Sequence, residues 1–132
     1  MIIRLLLLFL GLFHVGNGLY MLLDPMGWYT TVPGVTMTGP ANIHFISDIA
    51  LAFIVSGAGL SMGYRNGTKA ATLALAGATW PTLHALLHIW GWTHHGFPHE
   101  PNIAFSEVVG VVAISFIGFA LAWIRARKDG VV

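Results

Sequence analysis

A four-helix transmembrane bundle is the fold this sequence predicts, and three observations predict it. First, the 132 residues contain four long apolar stretches. A stretch of about 20 apolar residues is long enough to cross a bilayer as a helix. Second, 56% of the residues are hydrophobic and only 8% are charged. Soluble domains carry about 25% charged residues, so this chain cannot cover a water-facing surface. Third, the six basic residues are distributed unevenly. Arg4, Arg65, Lys69, Arg125, Arg127 and Lys128 all flank the same ends of the four stretches. Lys and Arg accumulate in short cytoplasmic segments, so both termini are expected in the cytoplasm.

The first span is predicted from about Ile2 to Leu23. Met1 to Leu12 imitates a signal peptide, with one Arg before a Leu-rich run, but no small-residue cleavage site follows. The apolar run continues through His14, Asn17 and Tyr20, so it is read as a retained helix that ends at Asp24-Pro25. The second span is predicted over about 41–63, the third over about 69–92 and the fourth over about 102–125. None of the four shows the strict alternation of a membrane strand. Tyr64 to Thr68 is a short turn around Asn66-Gly67. The connection Asp24 to Pro40 carries Gly, Pro, Trp28 and Tyr29 and is expected to fold over the bundle mouth. The connection Thr93 to Pro101 carries His94, His95, His99 and Glu100. Trp28, Tyr29, Trp90 and Trp92 fit an outer aromatic belt, and Tyr64 and Trp123 an inner one. Gly59 and Gly63 have GxxxG spacing, and Ala70, Ala74, Gly77 and Ala78 line the third span, so the second and third spans should pack closely. Pro81 is expected to kink the third span. One bundle, residues 1–132, accounts for the whole length as a single membrane domain.

The candidate site rests on depth and spacing. At about 1.5 Å per helical residue, His44 and Asp48 lie about 5 and 10 Å below the outer end of their span. His84 and His88 lie about 12 and 6 Å down, Glu107 about 8 Å and His14 about 14 Å. Ionisable groups inside a membrane are costly and mark functional sites. His84 and His88 are i,i+4, as are His44 and Asp48, so each pair shares one helix face. His14 and Asn17 are i,i+3. A helical HxxxH pair offers two imidazoles to one metal, and the HxxxD pair adds an imidazole and a carboxylate. His44, Asp48, His84 and His88 are therefore the expected ligands of zinc, iron or copper. Glu107 is the expected acid/base if the metal activates water or oxygen. His14 and Asn17 are expected to hold or orient the bound group.

Other readings stay open on these residues. Two histidines from different helices could ligate haem b, or the site could take a quinone, in a small electron-transfer subunit. The polar residues could instead only lock helices together in an accessory subunit of a larger complex. Whether the chain is an enzyme is left open. The bilayer is the expected partner, with a homo-oligomer or a larger membrane complex beside it, and nothing points to nucleic acid. The absence of cysteine removes disulfides and thiolate ligands.

His84-x-x-x-His88 followed by His94-His95 is partly similar to the histidine boxes of membrane diiron desaturases. The chain is too short for that family and lacks a full box set, so no role is carried over. Ferritin-like bundles use two Glu-x-x-His motifs, and none occurs here. The stretch Pro33-Gly-Val-Thr-Met-Thr-Gly-Pro-Ala-Asn-Ile-His-Phe-Ile-Ser-Asp48 resembles a pattern in small, uncharacterised bacterial four-helix membrane proteins. The resemblance spans nearly the whole chain. It implies only a bacterial inner-membrane setting and a small stand-alone protein, and no activity; it is the distribution of Lys and Arg that puts the candidate site towards the periplasmic or extracellular side.

Overall fold

Helix α1 spans Ile2–Leu23 and is followed at once by a short helix, α2, over Pro25–Thr31. A computed structural model describes residues 1–132. After a 3-10 turn at Val35–Thr38 come α3 (Ile43–Met62), α4 (Thr68–His95) and α5 (Pro101–Lys128). There are no strands. Helices α1, α3, α4 and α5 are each long and apolar enough to cross a membrane. Large apolar side chains along them, such as Phe9, Leu12, Leu51, Val55, Leu83 and Leu87, are exposed. Water does not tolerate apolar area on that scale, and the surface is compatible with an integral membrane protein.

The helix boundaries follow local chemistry. Asp24 caps α2 by accepting a 2.8 Å hydrogen bond from the Gly27 amide, and Pro25 occupies the first turn, where a missing N–H costs nothing. Asn42 caps α3 by accepting from the Phe45 amide at 3.1 Å, so α3 starts two residues later than the sequence suggests. Helix α4 runs three residues past its expected end, so His94 and His95 lie on its last turn and not in a loop. There the His94 ring packs against Trp90 at a tilt of 36°, with centroids 4.3 Å apart. Pro81 is buried and α4 continues through it. Within α5, Ser106–Ala113 forms a π-helical segment, which the sequence reading treated as ordinary helix.

Glycines set the two closest crossings. A side-chain carbon at Gly57 would lie 2.5 Å from the Gly11 carbonyl, and one at Gly18 would lie 2.6 Å from the Ala50 carbonyl. Helices α1 and α3 therefore meet backbone to backbone. Gly59 faces Gly77 in the same way across α3 and α4. Close approach through small residues is how helices gain dispersion contact where lipid removes the hydrophobic drive.

Two apolar clusters occupy the two ends of the bundle. Leu7, Leu60, Ala74, Ala78 and Ala122 join all four long helices at the end where the basic residues lie. Met21, Ile46 and Ala50 form the other, with Trp28 and Tyr29 of α2 packed over them. The short helix does cover that mouth: Trp28 Nε1 donates to Asn17 Oδ1 at 3.1 Å, and Tyr29 donates to the Gly39 carbonyl at 2.8 Å. Helix α5 packs along α4 through Ser106–Lys128 and meets α1 mainly through Ile114–Lys128. The bundle is thus closed at the basic end and open between α1 and the first half of α5.

The basic residues form one end in three dimensions. Arg4, Arg125 and Lys128 line a single shallow depression with Asp129. Arg125 is almost fully buried, pairs with Asp129 and donates to the Arg65 carbonyl at 3.2 Å. It therefore ties the end of α5 to the α3–α4 turn.

Candidate histidine–carboxylate site

Along α4, Trp80, His84, His88 and Trp92 recur every fourth residue. At 3.6 residues per turn this spacing makes one slowly winding stripe. Trp80 and His84 stack in parallel, with centroids 5.2 Å apart and planes at 7°. His88 meets His84 edge to face at 4.8 Å. The stripe ends against α5, where Glu107 completes it. His88 Nδ1 lies 3.5 Å from Glu107 Oε2, and Trp92 Nε1 donates to the same oxygen at 2.5 Å. The side chains of His88 and Glu107 are about three-quarters buried, at 28% and 23% exposure.

His14 joins the row from α1. It is 2% exposed, and its ring stacks on Phe53 of α3 at 5.7 Å. Phe53 in turn meets both Trp80 and His84 edge to face. One continuous line of rings therefore runs from α1 through α3 to α4 and ends at the α5 carboxylate. Neither ring nitrogen of His14 has a hydrogen-bond partner, although both are buried. Leaving a buried polar group unpaired costs about 1–3 kcal/mol.

The structure divides the residues that the sequence grouped. His44 and Asp48 face each other at 3.5 Å, but their side chains are 89% and 58% exposed. They form a local i,i+4 pair near the open end of α3 and do not join His84 and His88. Within α3 it is Phe53, one turn deeper, that reaches the α4 histidines. Asn17 accepts from Trp28 and donates to the Met21 sulfur at 3.7 Å, so its amide fastens α2 rather than reaching towards His14. Glu107 and His88 do meet, from different helices. As the side chains stand, no three of the His, Asp and Glu residues are gathered so as to hold a metal ion.

Phe53, Trp80 and Trp92 take part in the site without being among the residues expected from the sequence. Trp92 was placed in the interfacial belt, yet it lies four residues beyond His88 and shares its face. The signal was three successive i,i+4 spacings, which extend the HxxxH pair by one aromatic residue on each side. A scan against protein-family models and searches of curated proteins and of solved structures find no match to this chain, in keeping with its resemblance to a family without a characterised member.

Proposed function

We propose that this is a multi-pass bacterial inner-membrane protein, with both termini cytoplasmic, that binds a transition-metal ion in its outward half. The ligands are His88 and Glu107, with His84 as the third. The observation that carries this reading is the 3.5 Å separation of His88 Nδ1 and Glu107 Oε2. Two ligand atoms, each about 2.1 Å from a tetrahedral ion, lie about 3.4 Å apart, so this pair already spans one edge of such a site. His84 is against His88, and in this reading it would turn away from Trp80 to supply the third ligand. Trp92 supports the carboxylate by donating to it, as outer groups commonly orient a ligand. Two imidazoles and one carboxylate suit iron or zinc and leave positions open for water or a small ligand.

The donor geometry favours this over haem. Haem b needs two imidazoles facing one another across the ring. His14 and His84 instead lie flat against Phe53 and Trp80. A purely structural role has one observation in its favour, that the Trp92–Glu107 hydrogen bond by itself fastens α4 to α5.

X-ray absorption at the edge of the co-purifying metal tests the ligand set. The expected spectrum shows imidazole scattering together with oxygen ligands, and the imidazole contribution shrinks in His84→Ala. An all-oxygen environment that is the same in His84→Ala would contradict the assignment.

A further inference from the structure

The start of α1 and the end of α5 meet at the basic end of the bundle. The depression between them has a volume of about 520 Å³. Ile2, Ile3 and Arg4 line it from α1, and Arg125, Lys128 and Asp129 from the end of α5. Three cationic side chains therefore face one carboxylate. That carboxylate is already committed, because Asp129 Oδ1 pairs with Arg125 Nη1. Arg4 and Lys128 have no acidic partner: the ion pairs of the structure are His44–Asp48, His88–Glu107 and Arg125–Asp129.

Two further observations point to an anion. Helix α1 begins at this depression, and no side chain caps it. The amides of Ile2 and Ile3 precede any acceptor within the helix, so unpaired N–H groups and the positive end of the helix dipole lie in the wall. Phosphate groups bind readily at such a helix start. The second observation is Arg125. It is 5% exposed and lines the depression. Its guanidinium Nε is buried and donates to nothing in the protein. A buried guanidinium with a donor left over is costly, and a phosphate oxygen is the acceptor that its geometry suits best.

The wall is also partly apolar. Ile2 is exposed beside the cations, with Ile3 next to it. A free phosphate would meet the cations and leave this apolar surface to water. A phospholipid meets both, with its phosphate on the cations and its chains passing on into the bilayer. The excess of cations favours a net-negative head over a zwitterionic one, whose own ammonium they would repel. Basic pockets between membrane helices on the cytoplasmic side bind anionic lipid heads in this way. We propose that the depression holds the phosphate of one anionic glycerophospholipid of the phosphatidylglycerol type. Arg4, Lys128 and the first amides of α1 hold the phosphate, and Arg125 is a fixed charge in the wall. The inference rests on the membrane placement of the helices and is independent of the metal.

The test is native mass spectrometry of the full-length protein, titrated in detergent with dioleoyl phosphatidylglycerol or dioleoyl phosphatidylcholine. One phosphatidylglycerol is expected to stay bound, about tenfold or more tighter than phosphatidylcholine, given two free cations at a lipid surface. Arg4→Ala combined with Lys128→Ala should reduce phosphatidylglycerol to the phosphatidylcholine level. Lys128→Glu, a single change at an exposed position, should do the same without touching the packing of α1. Lys69→Ala combined with Arg127→Ala removes equal charge from the same end, at exposed residues outside the depression, and should leave the preference intact. Inorganic phosphate in excess should not displace the lipid. Equal retention of the two lipids by wild type would overturn the proposal. So would equal loss in the two double variants, which means diffuse attraction, or displacement by inorganic phosphate, which means a free-anion site. Carbonate extraction of native membranes reads the membrane placement separately. The protein should stay in the pellet, and its release would overturn that placement and the lipid site together.

Discussion

Gly77→Leu is expected to lower stability by about 3 kcal/mol or more, at or beyond the upper end of overpacking costs. The reason lies in what surrounds Gly77. A side-chain carbon there would sit 2.6 Å from the Leu60 amide nitrogen and 2.6 Å from the Ser56 carbonyl oxygen. These are backbone atoms of α3, which cannot rotate aside as a side chain can. Across the crossing, an added carbon on Gly59 would lie 2.9 Å from the Gly77 Cα. Helices α3 and α4 would have to separate, and in lipid their association depends on that close contact. Separation would also pull Phe53 from Trp80 and His84. Gly91→Leu is the matched control, because an added carbon there meets nothing within 4 Å. Thermal melts in detergent should show a large loss for Gly77→Leu and little change for Gly91→Leu. Equal melts for the two variants would refute the glycine crossing.

Chelator is expected to destabilise the wild type and to leave His88→Ala unaffected. A metal bound only by the folded state stabilises it by about 2.7 kcal/mol at a hundredfold excess over its dissociation constant. Removing His88 removes an essential ligand and with it that whole contribution. A histidine that only bonds a neighbouring helix contributes about 1 kcal/mol or less. The two roles therefore differ in size and also in chelator response. With a ligand role, chelated wild type and untreated His88→Ala melt at similar, lowered temperatures. With a purely structural role, chelator moves neither protein. His44→Ala is expected to behave as wild type in both conditions, since His44 is almost fully exposed and pairs only with Asp48.

The four long helices were legible because bilayer thickness imposes a length and apolarity that few other structures share. The glycine crossings were partly legible. Gly59 carries GxxxG spacing, but its true partner is Gly77 on another helix, and pairing between helices leaves no local pattern. The α4 pair was legible from its spacing alone. Its joining to Glu107 was legible only as shared depth, which places residues in a slab but does not fix their rotation about each helix axis. That is why His44 and Asp48 were grouped with it. Their depth is similar, yet α3 turns them outward and presents Phe53 instead. The π-helical segment was not legible, because neither Glu107 nor Gly110 within Ser106–Ala113 distinguishes a π-turn from an α-turn by residue type. The short helix α2 could have been found, since Asp24 followed by Pro25 is a standard helix start.

The central claim, that His88 and Glu107 mark a metal site rather than a hydrogen bond between helices, is most directly tested by elemental analysis. The protein should be purified from its native membrane without a polyhistidine tag. About one equivalent of iron or zinc per chain is expected, in line with the two-imidazole, one-carboxylate donor set. The equivalent should be lost in both His88→Ala and Glu107→Ala, while both variants remain folded. Wild type with no more transition metal than the two variants would contradict the claim and leave the Trp92–Glu107–His88 cluster as a fastening of α4 to α5.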